Sequence, residues 1–481
     1  MPNYESITFN NIRKDWLYVE RGRRKPPFAA RRRNLLTVPG YPGGYLQSTD
    51  VEPLLIEQPI GFKVKDDEDA LKKKDELAEW LLTDEPVELE LDDEPGRIYY
   101  AVVLNTIDDF DRMATLRSGT ILFLCPDPYA YGPEKTFSVE TDYFNIRNEG
   151  TAEAEPIFEL EVKEPITFAM LQNQFNEYNM IGIPIDVTES TPFKKYERIF
   201  YSNASSMVGW TNGTFVDGGV VAGQMASNGT RFQASSYGSG NAWHGPAIKQ
   251  SLPEVLTDFR MESFISFYNG NLPAYVGRVE IYLLDVNDQV VGKIAIKDTQ
   301  SGQALTVGEV RAGSGSNSHF LINESGDRPG NWNNFSGQVR IEREGNVWRA
   351  YIAMVDTATG RHHTRRSVTW VDTENKLTRS VAQVQIHIGQ HRTHQTPASG
   401  VYSLSVFKII QKPDGIPYIA DVGDIITFDH TNNGQIYING EPFEDTILGA
   451  DYFTLKKGDN NIVALPDNAF GISGRYRERY L

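Results

Sequence analysis

The stretch that decides the fold is GQVRIEREGNVWRAYIAMVD, residues 337–356. Two β-rich runs flank a Gly-Asn dipeptide that is typical of a short hairpin turn. After the turn, alternate residues are apolar, namely Trp348, Ala350, Ile352 and Met354. Because alternate residues of a strand face the same side, the pattern predicts a hairpin that buries one face, as in a β-sandwich.

Similar strand candidates recur on both sides of this hairpin, in a region rich in Gly, Ser and Asn. They are FRMESFISFY, GRVEIYLLDV, VGKIAIKD, VAQVQIHIG and GVYSLSVFKII. Recurrent short strands without helix signals predict a Greek-key sandwich or jelly roll over residues 191–412. Since the first and last strands of many sandwiches are neighbours, ERIFY (197–201) and YSLSVFKII (402–410) are expected to pair.

The flanking segments 134–190 and 413–481 are each too short for a convincing sandwich, but together they have the length of one. Both consist of strand-like runs, with a turn signal at Asn439-Gly440 in the second. The expectation is therefore a second sandwich interrupted by residues 191–412. Such an interruption is tolerated when the ends of the inserted part lie close together.

Residues 1–133 are expected to form a β-rich domain with one helix. The helix signal is DDEDALKKKDELAEWLLTDEP (66–86), which begins with acids and has Pro86 just beyond its end. Apolar residues within it follow helical spacing, namely Ala70, Leu77, Ala78 and Leu81. Acids at the start favour a helix because they complement its dipole.

Composition excludes several function classes. The net charge of −17 disfavours nucleic-acid binding by the whole protein. The sequence contains no run of about 18 apolar residues, so no membrane span is predicted. The N-terminal residues lack the apolar region of a signal peptide. A single cysteine in 481 residues rules out an intramolecular disulfide and fits synthesis in a reducing compartment.

Several local patterns, in a fixed order, resemble the distal tail (Dit) proteins of long-tailed, non-contractile phages. They are LLTVPGYPGGYL (35–46), DELAEWLLTDEPVELELDDEPGRIYYAVV (75–103), SGTILFLCPDPYAYG (118–132), NEGTAEAEPIFEL (148–160), GDIITFDHTNNGQIYINGE (423–441), DYFTLKKGDNNI (451–462) and RYRERYL (475–481). Residues 191–412 lie outside this resemblance and are similar only in pattern to concanavalin- or laminin-G-like sandwiches, as in a Dit protein with an inserted carbohydrate-binding-like domain.

The resemblance implies a ring-forming N-terminal domain followed by a galectin-like sandwich. The ring would be a homohexamer between the tail tube protein and the baseplate or tip protein, and DNA would pass through its lumen. The inserted sandwich would bind host cell-wall or surface saccharides. The protein would then be made in the host cytoplasm and end in the virion, at the tail tip.

A basic segment runs against the acidic balance of the chain. Residues 21–33, RGRRKPPFAARRR, contain seven basic residues and no acid. The segment could meet phosphate or an acidic partner, but a solvated loop or a subunit contact is the alternative. At the other end, RYRERYL suits either an edge strand with one buried face or an ordinary last strand of the sandwich.

The sequence offers little for catalysis, cofactors or metals. Cys125 would need a base close by, and all eight histidines lie far downstream. His391 and His394 lack accompanying cysteines or acids, so no metal site is expected. A glycosidase needs two suitably placed carboxylates; Glu342 and Glu344 share a strand face but are expected on a solvated edge. A tail-associated polysaccharide depolymerase remains the alternative function, and a secreted adhesin is a third.

A saccharide site needs an aromatic ring and planar polar groups, and two loops have both. The loop YGSGNAWHGPA (237–247) offers Tyr237, Asn241, Trp243 and His244. The loop SGDRPGNWNNFSG (325–337) offers Arg328, Asn331, Trp332 and Asn333. The alternative for both tryptophans is that they fill the ends of the sandwich core.

Overall fold

The computed structural model describes residues 5–106, 111–113, 115–185, 191–412, 414–431, 434–444 and 450–481. Within these residues the chain forms 39 β-strands and one α-helix, which confirms the predicted mainly β fold class. None of the described helical structure is long and apolar enough to cross a membrane.

The strands fall into four consecutive stretches of the chain. Before the second sandwich lie β1 (Ile7–Phe9), β2 (Ile12–Arg13), β3 (Leu17–Val19), β4 (Arg31–Leu36), β5 (Tyr45–Val51), β6 (Leu54–Lys63), then helix α1 (Asp67–Leu81), β7 (Val87–Leu91), β8 (Ile98–Thr106), β9 (Asp111–Met113), β10 (Leu116–Cys125) and β11 (Ala130–Val139). The next strands are β12 (Tyr143–Asn148), β13 (Ile157–Val162), β14 (Phe168–Asn173), β15 (Tyr178–Gly182) and β16 (Thr191–Phe193). The central stretch holds β17 (Tyr196–Ser202), β18 (Thr211–Asn212), β19 (Gly219–Val221), β20 (Gln224–Ser227), β21 (Phe232–Ser236), β22 (Trp243–Gly245), β23 (Ala247–Leu256), β24 (Phe259–Tyr268), β25 (Gly277–Leu284), β26 (Val290–Asp298), β27 (Val307–Ser314), β28 (Asn317–Glu324), β29 (Phe335–Glu344), β30 (Val347–Val355), β31 (His362–Val371), β32 (Val381–His391) and β33 (Ala398–Ile409). The last are β34 (Gly415–Pro417), β35 (Ile425–Asp429), β36 (Gln435–Ile438), β37 (Glu441–Phe443), β38 (Gly458–Leu465) and β39 (Phe470–Tyr480).

The predicted helix is confirmed as α1. Asp66 caps it by accepting a hydrogen bond from the backbone N–H of Asp69 at 2.8 Å. The helix buries Ala70, Leu77, Trp80 and Leu81, whereas Ala78 is exposed. The Trp80 indole N–H donates to the carbonyl of Phe9 at 2.9 Å, which fixes the helix on the strands.

Cys125 is a core residue. It ends β10 with no exposed surface and packs in the first hydrophobic cluster, which runs from Ile7 to Ala130. Burial, followed by the charge of Asp127, raises the pKa of its thiol to about 12. A thiol with that pKa is almost wholly protonated near neutral pH, so it is a poor nucleophile.

A single sheet joins the N-terminal strands to the second sandwich. Strand β11 pairs with β8 at one end and with β39 along residues 130–139. The boundary expected at residue 133 therefore lies inside a strand. Strand β39 pairs with β11 along residues 472–480 and with β13 along residues 470–475, and Ala152 forms an isolated bridge to Arg479. RYRERYL therefore belongs to an ordinary last strand, the second of the two alternatives in the sequence analysis.

The two flanking segments share one hydrophobic cluster. It combines residues 144–181 with residues 420–476, between the sheet β12-β38-β14-β15 and the strands β39, β13, β35 and β36 of the large sheet. Residues 186–190 and 413, at the expected boundaries of the inserted part, lie outside the described residues.

The central stretch is a sandwich of two sheets with its own hydrophobic cluster, from Ala204 to Val406. One sheet has the order β20-β21-β33-β24-β29-β30-β31, and the other β18-β23-β32-β25-β26-β27-β28. The predicted hairpin is present, since Glu344 pairs with Val347 across the turn. The expected pairing of the first and last strands is also confirmed: Tyr196 pairs with Ile409 and Ser202 with Leu404.

An arginine ties this central sandwich to the second sandwich. Arg340 of β29 binds both carboxylate oxygens of Glu441 of β37, at 2.9 and 2.5 Å. Glu262 lies on its other side, 3.3 Å from Nε. Burial alone would raise the pKa of Glu441, but the hydrogen bond and charge of Arg340 lower it below its usual value. A bidentate Arg–carboxylate pair fixes orientation as well as distance.

Trp332 is part of the central core. Its side chain has no exposed surface, and its indole N–H donates to the carbonyl of Thr364 at 2.7 Å. A Cβ added to Gly308 would lie 2.7 Å from the indole ring, so the ring lies directly on that strand. Trp332 therefore presents no ring face to solvent, in agreement with the core alternative of the sequence analysis.

Changing Trp332 to alanine should destabilise the central sandwich by roughly 3–5 kcal/mol, because a large buried ring is replaced by a cavity. Chemical denaturation followed by near-ultraviolet circular dichroism measures this loss in the full chain. The matched control is Trp243→Ala, which should lower the free energy of unfolding clearly less because Trp243 is only half-buried. Equal stability of the Trp332→Ala protein and the wild type would contradict its placement in the core.

Candidate functional site

A cleft on the central sandwich brings three tyrosines and several polar side chains together. Its volume is about 460 Å³. The side chains that matter for recognition are Tyr237, Tyr268, Tyr275, Arg231, Gln233 and Asn334. We call this the tyrosine cleft.

The tyrosine cleft lies far from the junction with the second sandwich. Ala398, at the start of β33, lines the cleft and pairs with Tyr268. Ile409, at the end of β33, pairs with Tyr196 where the central stretch begins. Because a strand rises about 3.3 Å per residue, the length of β33 separates the two ends by roughly 36 Å. The cleft is therefore at the outer end of this sandwich.

Buried amide side chains hold the wall of the cleft in place. Asn269, which has no exposed surface, donates to Asn333 at 3.1 Å and to Thr306 at 3.2 Å. Asn334 accepts a hydrogen bond from the backbone N–H of Gly270 at 2.7 Å. The loop that carries Leu272 and Tyr275 is thus anchored at its first two residues, which pre-organises the cleft.

The aromatic rings of the cleft are accessible from solvent. Tyr268 is 44% exposed and Leu272 50% exposed, while Tyr237 and Tyr275 are half-buried. An aromatic ring offers an apolar face for the C–H groups of a pyranose, and neighbouring amides can bond its hydroxyls. The composition of the cleft therefore suits a saccharide.

The predicted loop 237–247 contributes only its first residue to the cleft lining. Trp243 lies in β22, where the guanidinium of Arg278 stands 4.8 Å over its ring and His391 lies 5.0 Å away. His244 is buried and its Nδ1 lies 3.0 Å from the carbonyl oxygen of Ala242. Asn241 is exposed, and its carbonyl accepts from Arg392 at 3.2 Å.

The predicted loop 325–337 is mostly structural. Asn333 donates to the carbonyl of Ala304 at 2.8 Å and accepts from the backbone of Thr306 at 2.9 Å. Asn331 closes a turn by donating its backbone N–H to the carbonyl of Arg328, which is exposed. The buried Trp332 cannot stack on a sugar, so we remove it from the candidate site. The loop reaches the tyrosine cleft through Asn334 instead.

The sequence analysis missed Tyr268 and Tyr275. Both belong to YNGNLPAY (268–275), a loop with Asn, Gly and Pro between its two tyrosines. Exposed aromatic residues at both ends of a turn-rich loop are a usable signal. Arg231 joins the site only through the pairing of β21 with β33.

Glu280, a buried carboxylate of the central sandwich, is paired with two cations. Glu280 has no exposed surface and lies 2.9 Å from Lys293 and 3.3 Å from Arg278. Burial alone would raise its pKa, but Lys293 and Arg278 lower the pKa to about 2. A glycosidase acid must hold a proton near neutral pH, so Glu280 does not suit that role.

Glu342 is buried rather than solvated, so the expectation for its exposure is wrong. It is 4% exposed and lies 2.6 Å from Arg349 of the neighbouring strand. Tyr196 adds a hydrogen bond at 3.3 Å. Sequence spacing places Glu342 on the face away from the core but cannot show that β17 and β30 supply partners that cover it.

The histidine pair of the sequence analysis is a stacked surface pair. The rings of His391 and His394 lie 5.6 Å apart with an angle of 17° between them. Across the described residues, no group of three or more His, Cys, Asp or Glu side chains is arranged to hold a metal ion.

Residues 13–125 match a protein family described as the phage tail protein RIFT-related domain. No curated protein sequence matches the chain. Among solved structures, the chain is similar to the Dit protein of phage SPP1, with 20% identity, coverage of 38% of this chain and 75% of that one, and a TM-score of 0.34.

Two further solved structures resemble the chain. One is the CBM2 module of the evolved Dit of Lactobacillus casei BL23 phage J-1, with 15% identity, coverage of 46% of this chain and 99% of that one, and a TM-score of 0.39. The other is the winged bean acidic lectin, with 9% identity, coverage of 45% of this chain and 100% of that one, and a TM-score of 0.31. Residues 13–125 thus carry the phage tail RIFT-related domain, in agreement with the resemblance to distal tail proteins described in the sequence analysis.

Proposed function

We propose that the chain is the hub at the distal end of a long, non-contractile phage tail and holds host saccharides with its inserted sandwich. The observation that carries the proposal is the match of residues 13–125 to the phage tail RIFT-related domain. The hub would contact the tail tube protein on one side and the baseplate or tip protein on the other. It would be synthesised in the host cytoplasm and end in the virion.

We assign residues 1–133 to the ring domain, residues 134–190 with 413–481 to a galectin-like sandwich, and residues 191–412 to the inserted sandwich. The three separate hydrophobic clusters support this division. Strand β11 is shared, since Ala130 belongs to the first cluster and Phe137 packs against the second.

A solitary hairpin supports assembly of the ring domain into a homohexamer. Strands β4 and β5 pair with each other and with no other described strand. Their side chains include large apolar groups that are about half to two-thirds exposed, namely Leu35, Leu36, Tyr41, Tyr45 and Leu46. Leu35 pairs with Leu46 and Leu36 with Tyr45, so the hairpin exposes apolar residues on both faces. A neighbouring subunit is the natural cover for them.

The basic segment divides into two parts. Arg23 binds Asp93 at 2.6 Å and Lys25 binds Glu94 at 2.9 Å, so these cations serve the fold of the ring domain. Residues 31–33 begin strand β4 of the hairpin and are exposed. They are suited to a contact with an acidic neighbouring subunit or with DNA in the lumen, and the contact between subunits is favoured here because the same hairpin exposes apolar residues.

The tyrosine cleft supports the adhesive part of the proposal. It stands at the outer end of the inserted sandwich, away from the junction that β17 and β33 make with the second sandwich. We propose holding rather than cleavage of the saccharide, because the two buried glutamates considered for catalysis, Glu280 and Glu342, are bound to cations. No observation favours the depolymerase alternative.

The purified chain should form rings of six subunits. Negative-stain microscopy would show the rings, and mass photometry would give the number of subunits from their mass. Placing aspartates in the hairpin by the changes Leu36→Asp and Leu46→Asp should leave folded monomers, because charges cannot be buried without partners. The matched control is Val208→Asp, at a position that is 87% exposed on the inserted sandwich. A wild type that stays monomeric at micromolar concentration would contradict the hub.

Removing two rings of the cleft, by Tyr237→Ala with Tyr268→Ala, should lower binding of the full chain to host cells at least tenfold, since each ring contributes stacking area. Fluorescently labelled protein and flow cytometry measure this binding. The matched control is Tyr201→Ala, because Tyr201 is 54% exposed in β17. Undiminished binding of the double variant would show that the saccharide is held elsewhere.

A further inference from the structure

We infer that the tyrosine cleft selects saccharides that carry a negative charge, as a carboxylate or a phosphodiester, and that Arg231 binds the charged group. This inference rests on the saccharide-binding function proposed above. It adds the chemical class of the ligand and names the group that selects it.

The charge of the cleft is opposite to that of the protein. The chain has 64 acidic and 47 basic residues, a net charge of −17. Yet the side chains that line the cleft include one arginine and neither aspartate nor glutamate. The acidic excess lies outside the central stretch, since residues 191–412 contain 22 lysines and arginines against 17 aspartates and glutamates. An acidic polymer can therefore approach this sandwich and its cleft, although the whole chain is acidic.

Arg231 has no carboxylate partner in the part of the chain that the structure describes. It donates Nε to the Gln233 side chain at 3.1 Å and Nη1 to the Tyr402 hydroxyl at 3.2 Å. These bonds use two of the five N–H groups of a guanidinium. Among the described residues no salt bridge is formed by Arg231, whereas Arg340 and Arg349 of the same sandwich each bind two glutamates.

The structure fixes the position of Arg231. A Cβ added to Gly400 would lie 2.7 Å from Cδ of Arg231, so the arginine stem lies directly on strand β33 at a residue without a side chain. Its guanidinium carbon stands 5.8 Å from the centre of the Tyr402 ring. A half-buried guanidinium held on both sides loses little freedom when it binds an anion.

The aromatic rings and the arginine line the same cleft, so one sugar residue can use both. A pyranose can stack on Tyr237 or Tyr268 while a substituent reaches the free N–H groups of Arg231. Guanidinium binds carboxylate and phosphate through paired, charge-assisted hydrogen bonds. A neutral saccharide would keep the stacking contacts and lose these bonds, which sets the expected selectivity.

The test uses wall polysaccharide purified from the host bacterium in three forms. The first is native, the second has its carboxylates reduced to alcohols, and the third has its phosphodiesters removed by hydrofluoric acid. Binding of the full-length protein to each immobilised form is measured by biolayer interferometry at low and high salt. The proteins compared are the wild type, Arg231→Gln, Arg231→Lys and the control Arg198→Gln, which alters an exposed arginine of β17 outside the cleft.

The wild type should bind the native polymer roughly tenfold or more tightly than the form that lacks its charge, as expected for loss of a charged hydrogen bond. Whichever treatment weakens binding identifies the anion as carboxylate or phosphodiester. Arg231→Gln should bind all three forms with the same low affinity, and Arg231→Lys should keep part of the preference. Arg198→Gln should behave as the wild type, and high salt should reduce the difference in affinity between the native and the uncharged polymer.

The outcomes separate this inference from the function on which it rests. Equal binding of the wild type to all three forms, with binding still lost in the Tyr237/Tyr268 double variant, would overturn charge selection and leave the saccharide site standing. Binding of the native polymer by Arg231→Gln as tightly as by the wild type would also overturn charge selection and leave the saccharide site standing. Failure of the wild type to bind any form would overturn the saccharide-binding function together with the inference.

Discussion

The pairing of β17 with β33 is the constraint on which the rest of the structure depends. It brings Tyr196 beside Ile409, so that the two ends of a long inserted stretch leave from neighbouring positions. The short parallel pair of β16 and β34 continues this arrangement into the second sandwich, with Thr191 opposite Gly415. Because its ends are held together, the inserted sandwich can grow large without separating the strands that share the second core.

The same constraint positions the tyrosine cleft. Strand β33 begins at the cleft and ends at the junction, so its length sets how far the cleft stands from the second sandwich. The pair of Arg340 with Glu441, and that of Arg361 with Asp429 at 2.7 Å, hold the inserted sandwich against strands β37 and β35. Adhesion at the cleft would thus be transmitted to the second sandwich through paired strands and partly buried ion pairs rather than through a loose linker.

The features that could be predicted from the sequence are those that depend on neighbouring residues of the chain. The turn after Glu344, the alternation from Trp348 to Ile352 and the helix that follows the acids at residues 66–69 each depend on a few adjacent residues. The inward orientation of Trp332 could not be predicted this way, because Gly308 and Thr364 come from distant strands.

The tyrosine cleft was only partly predictable for the same reason. Tyr237 was identified from its loop, whereas Arg231 and Tyr268 meet it only once β21, β24 and β33 are assembled in one sheet. The charge of the cleft is a property of that assembly, since the sequence around Arg231 gives no sign that carboxylates will be absent from its surroundings.

Excision of the inserted sandwich is the most direct test of the central claim, that one part of the chain builds the tail hub and another holds the host saccharide. Residues 196–409 would be replaced by a short glycine-serine linker, which is sufficient because the ends lie side by side. Ring assembly and binding to host cells would then be measured on the same preparation. We expect intact rings that no longer bind cells. Rings that bind cells as well as the full chain would contradict the claim.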